Sequence, residues 1–298
     1  MSASVSGRAS GLLSRARPPL RAVRRELRSG EAAVGWIGLT AIVLLVIVGP
    51  AFAPAAPSDI VALPYATPGA GHLLGTDFIG RDVLSRVLNG GRSVVLLALA
   101  ATVLAYLLGG TIGLVAGFVR GRTDGVLMRA VDVFLAFPHM LFILLLATGV
   151  GASWWVVVVG IGIIQSPQIS RVFRAATLQL TGRGFVEAAV ARGEATARIL
   201  RREILPNIVT TFVADAGPRF TFSILTVAAL NFLGVGLRPP APDWAVMISE
   251  NRPGLQVNVW GVIAPALLIA ILAVSINLVG DAYARRRGIS TDVDPAQP

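Results

Sequence analysis

Gly184-Phe185-Val186-Glu187-Ala188-Ala189-Val190-Ala191-Arg192-Gly193, followed by Glu194 through Arg202 and then Glu203-Ile204-Leu205-Pro206-Asn207, forms a polar island between two long hydrophobic runs. Its pattern predicts two short helical stretches, hinged at Gly193 and stopped by Pro206. So ordered a loop reads as a compact helix-turn-helix built to dock on a partner. The two flanking runs then decide the class of the whole chain.

Mean hydropathy is +0.73 and 14% of residues are charged, against about 25% in a soluble domain. At 298 residues the chain has room for several membrane spans of about 20 residues each. Six candidate spans appear, at 34–53, 93–119, 126–149, 154–173, 207–234 and 258–280. The expected fold is therefore an all-α membrane protein with six transmembrane helices. Residues 1–33 form a basic tail, and 34–92 hold the first span and a long external segment. Residues 93–281 form the core transmembrane domain, with the island at 184–207, and 282–298 form a second tail.

All 26 basic residues are arginine. The N-terminal tail, the 120–129 loop, the 171–202 region and Arg285-Arg286-Arg287 hold 20 of them, and all four regions fall on one side of an even-span topology. That asymmetry predicts that both termini and the island are cytoplasmic. The net charge of +10 therefore reads as membrane orientation and not as a nucleic-acid surface, because no single basic face exists. Ala51-Phe52-Ala53 resembles a signal-peptidase site, but the long basic tail and the apolar run 34–52 predict an uncleaved first span. With no cysteine, disulfides, zinc thiolates and cysteine nucleophiles are excluded.

Within the spans, Gly109, Gly113 and Gly117 repeat at four-residue spacing and predict close helix packing, with a pathway lining as the other reading. Arg129 and Asp132 lie i,i+3 and are expected to neutralise each other. Asp215 and Arg219 lie i,i+4 around a helix-breaking Gly217-Pro218, facing protein or a water-filled cavity. Asn277 and Asp281 are expected to bond to neighbouring helices or to cap the last one. All six are structural or translocation candidates.

Residues 72–86 are expected to end in a surface amphipathic helix, with Val83, Leu84, Val87 and Leu88 apolar and Arg81, Asp82, Ser85 and Arg86 polar. His72, Asp77 and Asp82 are a weak ligand set, and no metal site is expected. The two histidines, 72 and 139, exclude Ser-His-Asp and His-Glu-x-x-His chemistry, and the absence of lysine excludes a nucleotide-binding P-loop. A membrane enzyme is disfavoured, and so is a self-contained secondary transporter, because no chain of intramembrane acids and no inverted repeat is visible.

Glu187-Ala188-Ala189, three residues, Gly193, nine residues, then Glu203-Ile204-Leu205-Pro206 resembles the EAA loop of bacterial ABC-importer permeases. One departure is Glu203, where the pattern has Ile. Over about 70–290 the chain is similar to the C-type permease of dipeptide/oligopeptide importers. The likeness is carried by His72-x-Leu74-Gly75-Thr76-Asp77, Gly80-Arg81-Asp82, Ser85-Arg86, Met128-Arg129-x-x-Asp132, Ala136-Phe137-Pro138, Pro167, Arg171 and Arg174. Phe232-Leu233-Gly234-x-Gly236, Pro239-Pro240-x-Pro242-x-Trp244 and Asn277-Leu278-x-Gly280-Asp281 complete it, while Val227 stands where the family often has Glu.

The resemblance implies a type I importer fold and a heterodimer with a B-type permease. It also implies two ATPase subunits, or one fused ATPase, and an extracytoplasmic substrate-binding protein. ATP and Mg would sit on the partners, this chain would bind no cofactor, and its surface would otherwise meet lipid. Peptides are the implied cargo, with nickel, glutathione or another small solute as alternatives. In that frame Glu187, Ala188, Ala189, Gly193, Glu203, Ile204, Leu205 and Pro206 form the ATPase-coupling loop, with Ala195, Ile199 and Leu200 as its apolar patch.

Overall fold

The computed structural model describes residues 30–69 and 71–286. The expected tails at 1–33 and 282–298 therefore fall largely outside the described residues. Helix α1 is Gly30–Val48, and a 3-10 turn, Gly49–Phe52, ends it at Pro50. Helix α2 is Val83–Val119, α3 is Gly121–Ala136, α4 is His139–Val150 and α5 is Trp154–Thr181. Two short helices, α6 (Gly184–Ala191) and α7 (Thr196–Ile199), lead through a π-helical turn, Leu200–Ile204, into α8, Leu205–Phe232. A short α9, Trp244–Asn251, precedes the last helix α10, Trp260–Arg286. Among the described residues there are only isolated β-bridges, all in the 60–82 segment.

Four of these helical segments, Gly30–Phe52, Val83–Val119, Trp154–Thr181 and Trp260–Tyr283, are long and apolar enough to cross a membrane. The pair α3 and α4 meets that test only jointly, and it is bent by 88°. The expected single span at 126–149 is thus broken. Pro138 has no N–H to donate and drives the preceding Phe137 out of the helical region, to ψ 134°. Helix α8 is 28 residues long but carries Asp215, Pro218 and Arg219 in its middle, and it is not among the apolar segments.

The α2–α5 pair is the spine. A Cβ on Gly109 would stand 2.3 Å from the Ser166 carbonyl oxygen, and one on Gly113 would stand 2.4 Å from that of Ser170. Gly117 meets Thr177 in the same way. The glycine stripe therefore packs helix on helix, as its spacing predicts. One apolar core gathers Val94, Ala98, Ile143, Ile161, Ile164, Ile224, Val227 and Leu230, so Val227 is a fully buried packing residue. A second core lies toward the C-terminal ends of α2 and α5, under the island.

Candidate functional site

The island folds from its own sequence signals. Helix α6 ends with Gly193 at φ +72°, a left-handed conformation open to glycine without a Cβ penalty. Gly193 N–H donates to the Val190 carbonyl (2.9 Å) and Glu194 N–H to that of Ala189 (3.2 Å), the paired bonds of a Schellman cap. The hinge read from the sequence is therefore real. The stop at Pro206 is not. Pro206 lies in the first turn of α8, and the chain runs through the π turn into that helix without a break.

Val186, Ala189, Ile199 and Ile204 are buried against Ala105, Ile169, Phe173 and Ile208. The expected outward patch of Ala195, Ile199 and Leu200 is corrected accordingly: Ile199 is 2% exposed and packs inward, and Leu200 is half-buried against the same core. Helix α6 and its flanks present to solvent Phe185, Glu187, Ala188, Val190 and Ala195, together with Arg183 and Arg192. Glu203 is half-buried, Ile204 is spent on internal packing, and Leu205 is exposed beside them. Asn207 Nδ2 donates to the Glu203 carbonyl (2.6 Å) across the turn that joins island to helix.

Three turns into α8 further polar candidates gather. Arg219 Nε donates to both Asp215 oxygens at 3.2 Å, as the i,i+4 spacing predicts. The Gly217-Pro218 pair does not break the helix, which continues to Phe232. Two partners escaped the sequence reading. Tyr106 Oη of α2 donates to Asp215 Oδ2 (2.7 Å), and Arg219 Nη1 donates to Gln168 Oε1 of α5. A turn further on, Ser223 Oγ accepts from Gln165 Nε2 (2.6 Å) and lies 2.7 Å from Thr102 Oγ1.

The other candidates are placed differently from expectation. Asp132 accepts from Arg171 Nη2 (2.6 Å) on α5, and Arg129, on α3 with Asp132, is exposed. Both groups of that pair are more than half exposed. Asn277 Nδ2 donates to the Ala273 carbonyl of its own helix (3.0 Å) and not to a neighbouring one. Asp281 is exposed and caps nothing, since α10 runs on to Arg286.

At the opposite end of α2 the structure overturns the amphipathic surface helix. Residues from Val83 onward belong to α2, with Asp82 as N-cap accepting from Ser85 N–H. Arg81 and Arg86 are 1% and 0% exposed. Arg81 Nε and Arg86 Nη1 both donate to Asp77 Oδ2 at 2.6 Å, and Arg86 Nη1 also reaches Glu250 Oε2 of α9 at 2.6 Å. Arg81 Nη2 reaches the same Glu250 oxygen at 3.1 Å. Two cations and two anions thus balance in a buried cluster. Burial pushes the Asp77 carboxyl up, but the bonds from Arg81 N–H, Arg86, Ile79 N–H and the Arg81 side chain outweigh it and hold it below the ordinary value.

Nearby, Asp243 caps α9 through Ala245 and Val246 N–H and accepts from Ser93 Oγ. Here burial wins over those bonds and pushes the carboxyl up. Trp244 donates Nε1–H to the Val87 carbonyl (2.8 Å) and lies on Gly90 and Gly91, where a Cβ would meet the indole at 2.8 and 2.5 Å. Asp77, committed to two arginines, is not poised as a metal ligand beside His72, and the described residues hold no group of three metal-ligating side chains.

These features define a bundle of long apolar helices with a polar loop, 184–207, packed against its spine. The fold is shared with a chain of the MetNI methionine ABC transporter in an inward-facing conformation, at TM-score 0.55 and 17% identity, covering 69% of this chain and 96% of that one. Residues 109–289 match the family described as binding-protein-dependent transport system inner membrane component, and the chain belongs to that family. It is 33% identical over 285 residues to a di/tripeptide transport system permease protein of Pseudomonas aeruginosa, covering 93% of this chain and 92% of the relative. It is 35% identical over 228 residues to a glutathione transport system permease protein of Pectobacterium atrosepticum, covering 76% and 74%. The chain is accordingly an inner membrane component of a binding-protein-dependent transport system.

Proposed function

We propose that this chain is one of two permease subunits of an ATP-driven importer whose cargo is di- or oligopeptides delivered by an extracytoplasmic binding protein. The observation that carries the reading is the similarity to peptide permeases over nearly the whole chain, joined to an island that packs onto the bundle through Val186, Ala189, Ile199 and Ile204 and leaves Phe185, Glu187, Ala188, Val190 and several arginines exposed. In this reading six spans place both termini in the cytosol, with the bent α3–α4 pair and α8 counted as spans. Residues 34–92 face outward beyond the first span, and 93–281 form the core with a second, B-type permease.

Two ATPase subunits, or one fused one, bind ATP and Mg and seat against Glu187, Ala188 and the exposed residues around Gly193. Glu203 through Pro206 join that seat to α8. ATP-driven closure of the partners moves the island, and α8 carries the displacement into the membrane, where rocking of the two permeases alternates access. The chain itself performs no catalysis. The test is co-purification from mild detergent: tagged chain should retain an ATPase subunit, and its consistent absence refutes the reading. Uptake of labelled di- and oligopeptides in a deletion strain, with glutathione and nickel as parallel cargoes, decides the substrate. The relative from Pectobacterium makes glutathione the second reading.

A further inference from the structure

We infer that Tyr106 is a positioning residue of transport: its hydrogen bond to Asp215, with that of Arg219 to Gln168, is a releasable latch holding α8 against the rigid α2–α5 pair. The inference rests on the importer reading above, because it concerns how displacement of the island reaches the membrane.

The packing of α8 is unlike that of α2 on α5. Between α2 and α5 the glycine stripe brings backbone against backbone, leaving no slack. Between α2 and the first half of α8 lies instead an apolar groove of ≈ 1040 Å³, walled by Leu99, Val103 and Leu107 on one side and Val209, Phe212 and Phe220 on the other. Helix α8 therefore has room to move relative to α2 just where the island feeds into it. Apolar contact across it is confined to Ile208 and to the Phe212 ring against Tyr106 and Phe173, and the polar bonds add the directional tie.

Those bonds sit where the helix is weakest. Pro218 cannot donate to the carbonyl one turn back, which loosens the ladder of α8 at that turn. Asp215 and Arg219 bracket this turn, and each sends one bond off the helix, to α2 and to α5 respectively. On the far side, Gly217 and Gly280 bring α8 against α10, where a Cβ on Gly217 would stand 3.4 Å from Gly280 Cα. A hydrogen bond to a carboxylate in such surroundings holds a two-state element by about tenfold or more in its equilibrium. When Tyr106 releases Asp215, the acid still has Arg219, so no isolated charge is created in the membrane and the release is affordable in both states.

The test uses the assembled transporter in nanodiscs. The chain has no native cysteine, so spin labels at Leu107→Cys on α2 and Val209→Cys on α8, both lining the groove, report the α2–α8 separation once the other subunits are cysteine-free. Wild type should show two distance populations that exchange between nucleotide-free and ATP-trapped states. Tyr106→Phe keeps the ring and its packing on Phe173 and Phe212 but deletes the hydroxyl. It should shift the nucleotide-free ratio about tenfold toward the ATP-trapped population, and lower peptide taken up per ATP hydrolysed. Gln168→Met, which removes the other tie from α5, should shift the ratio the same way. If wild type exchanges populations and both variants match it, the latch is refuted while the importer reading stands. If wild type shows neither exchange nor uptake, the importer reading falls and takes the latch with it.

Discussion

Asp77→Asn puts the buried charge cluster to a quantitative test. The carboxylate accepts four hydrogen bonds, from Ile79 and Arg81 N–H at Oδ1 and from Arg81 and Arg86 side chains at Oδ2. Its side chain and that of Arg86 are 0% exposed, and that of Arg81 is 2%. Water therefore screens none of the loss, and the substitution leaves two buried cations facing the single charge of Glu250. Removing one partner of a buried ion pair costs about 3–5 kcal/mol. Asp132→Asn is the internal control, since that carboxylate and Arg171 are 58% and 57% exposed and such pairs contribute about 0–1 kcal/mol. Reversible denaturation of the purified chain in mixed micelles, followed by tryptophan fluorescence at Trp244, measures both. Asp77→Asn should fall at least 2 kcal/mol below Asp132→Asn by this contrast. Equal stability of the two variants would refute the view that the cluster holds the 60–82 segment on α9.

Three further outcomes are expected. Because the folded-state pKa of Asp77 lies below its unfolded value, its contribution is complete above the ordinary aspartate pKa of about 3.9. It is lost as pH falls through the lowered value, so acid unfolding of wild type should begin below about pH 4 and flatten in Asp77→Asn. Gly109→Val places a side chain 2.3 Å from the Ser166 carbonyl oxygen and should cost at least 1–3 kcal/mol, as overpacking does, seen as loss of folded, monodisperse protein in detergent chromatography. Gly193→Asp, at φ +72° with open space around it, should leave insertion intact but reduce ATP-dependent uptake in vesicles. Gly193→Asn, which tolerates that conformation, should retain more uptake, and equal uptake by wild type and the Asp variant would contradict a coupling role.

What could be read without coordinates was local. Helical spacing alone pairs Asp215 with Arg219 and stacks Gly109, Gly113 and Gly117 on one face, and a glycine between two short helical stretches marks the turn at Gly193, because each rests on residues within one or two turns. Partners from other helices were out of reach. Glu250 meets Arg86 across 164 residues, Tyr106 meets Asp215 across 109, and Asp132 prefers Arg171 to the nearer Arg129. Each depends on the rotation of one packed helix against another, which periodicity does not encode. The same gap explains residues 81–86: an amphipathic pattern marks two unlike faces, but not which of them is buried. Here arginines go inside because two acids, one from a distant helix, wait for them. Ile199 likewise reads as a docking contact only while its own core is unseen.

Helix α2 is a single rod of 37 residues, about 55 Å long at 1.5 Å per residue, nearly twice the roughly 30 Å of a bilayer's hydrocarbon core. One end is riveted into the charge cluster and the other lies under the island. A rigid rod of that length, tilted by about 10° about its midpoint, would carry its tips roughly 5 Å in opposite directions, so a displacement at one end would arrive at the other with its sign reversed.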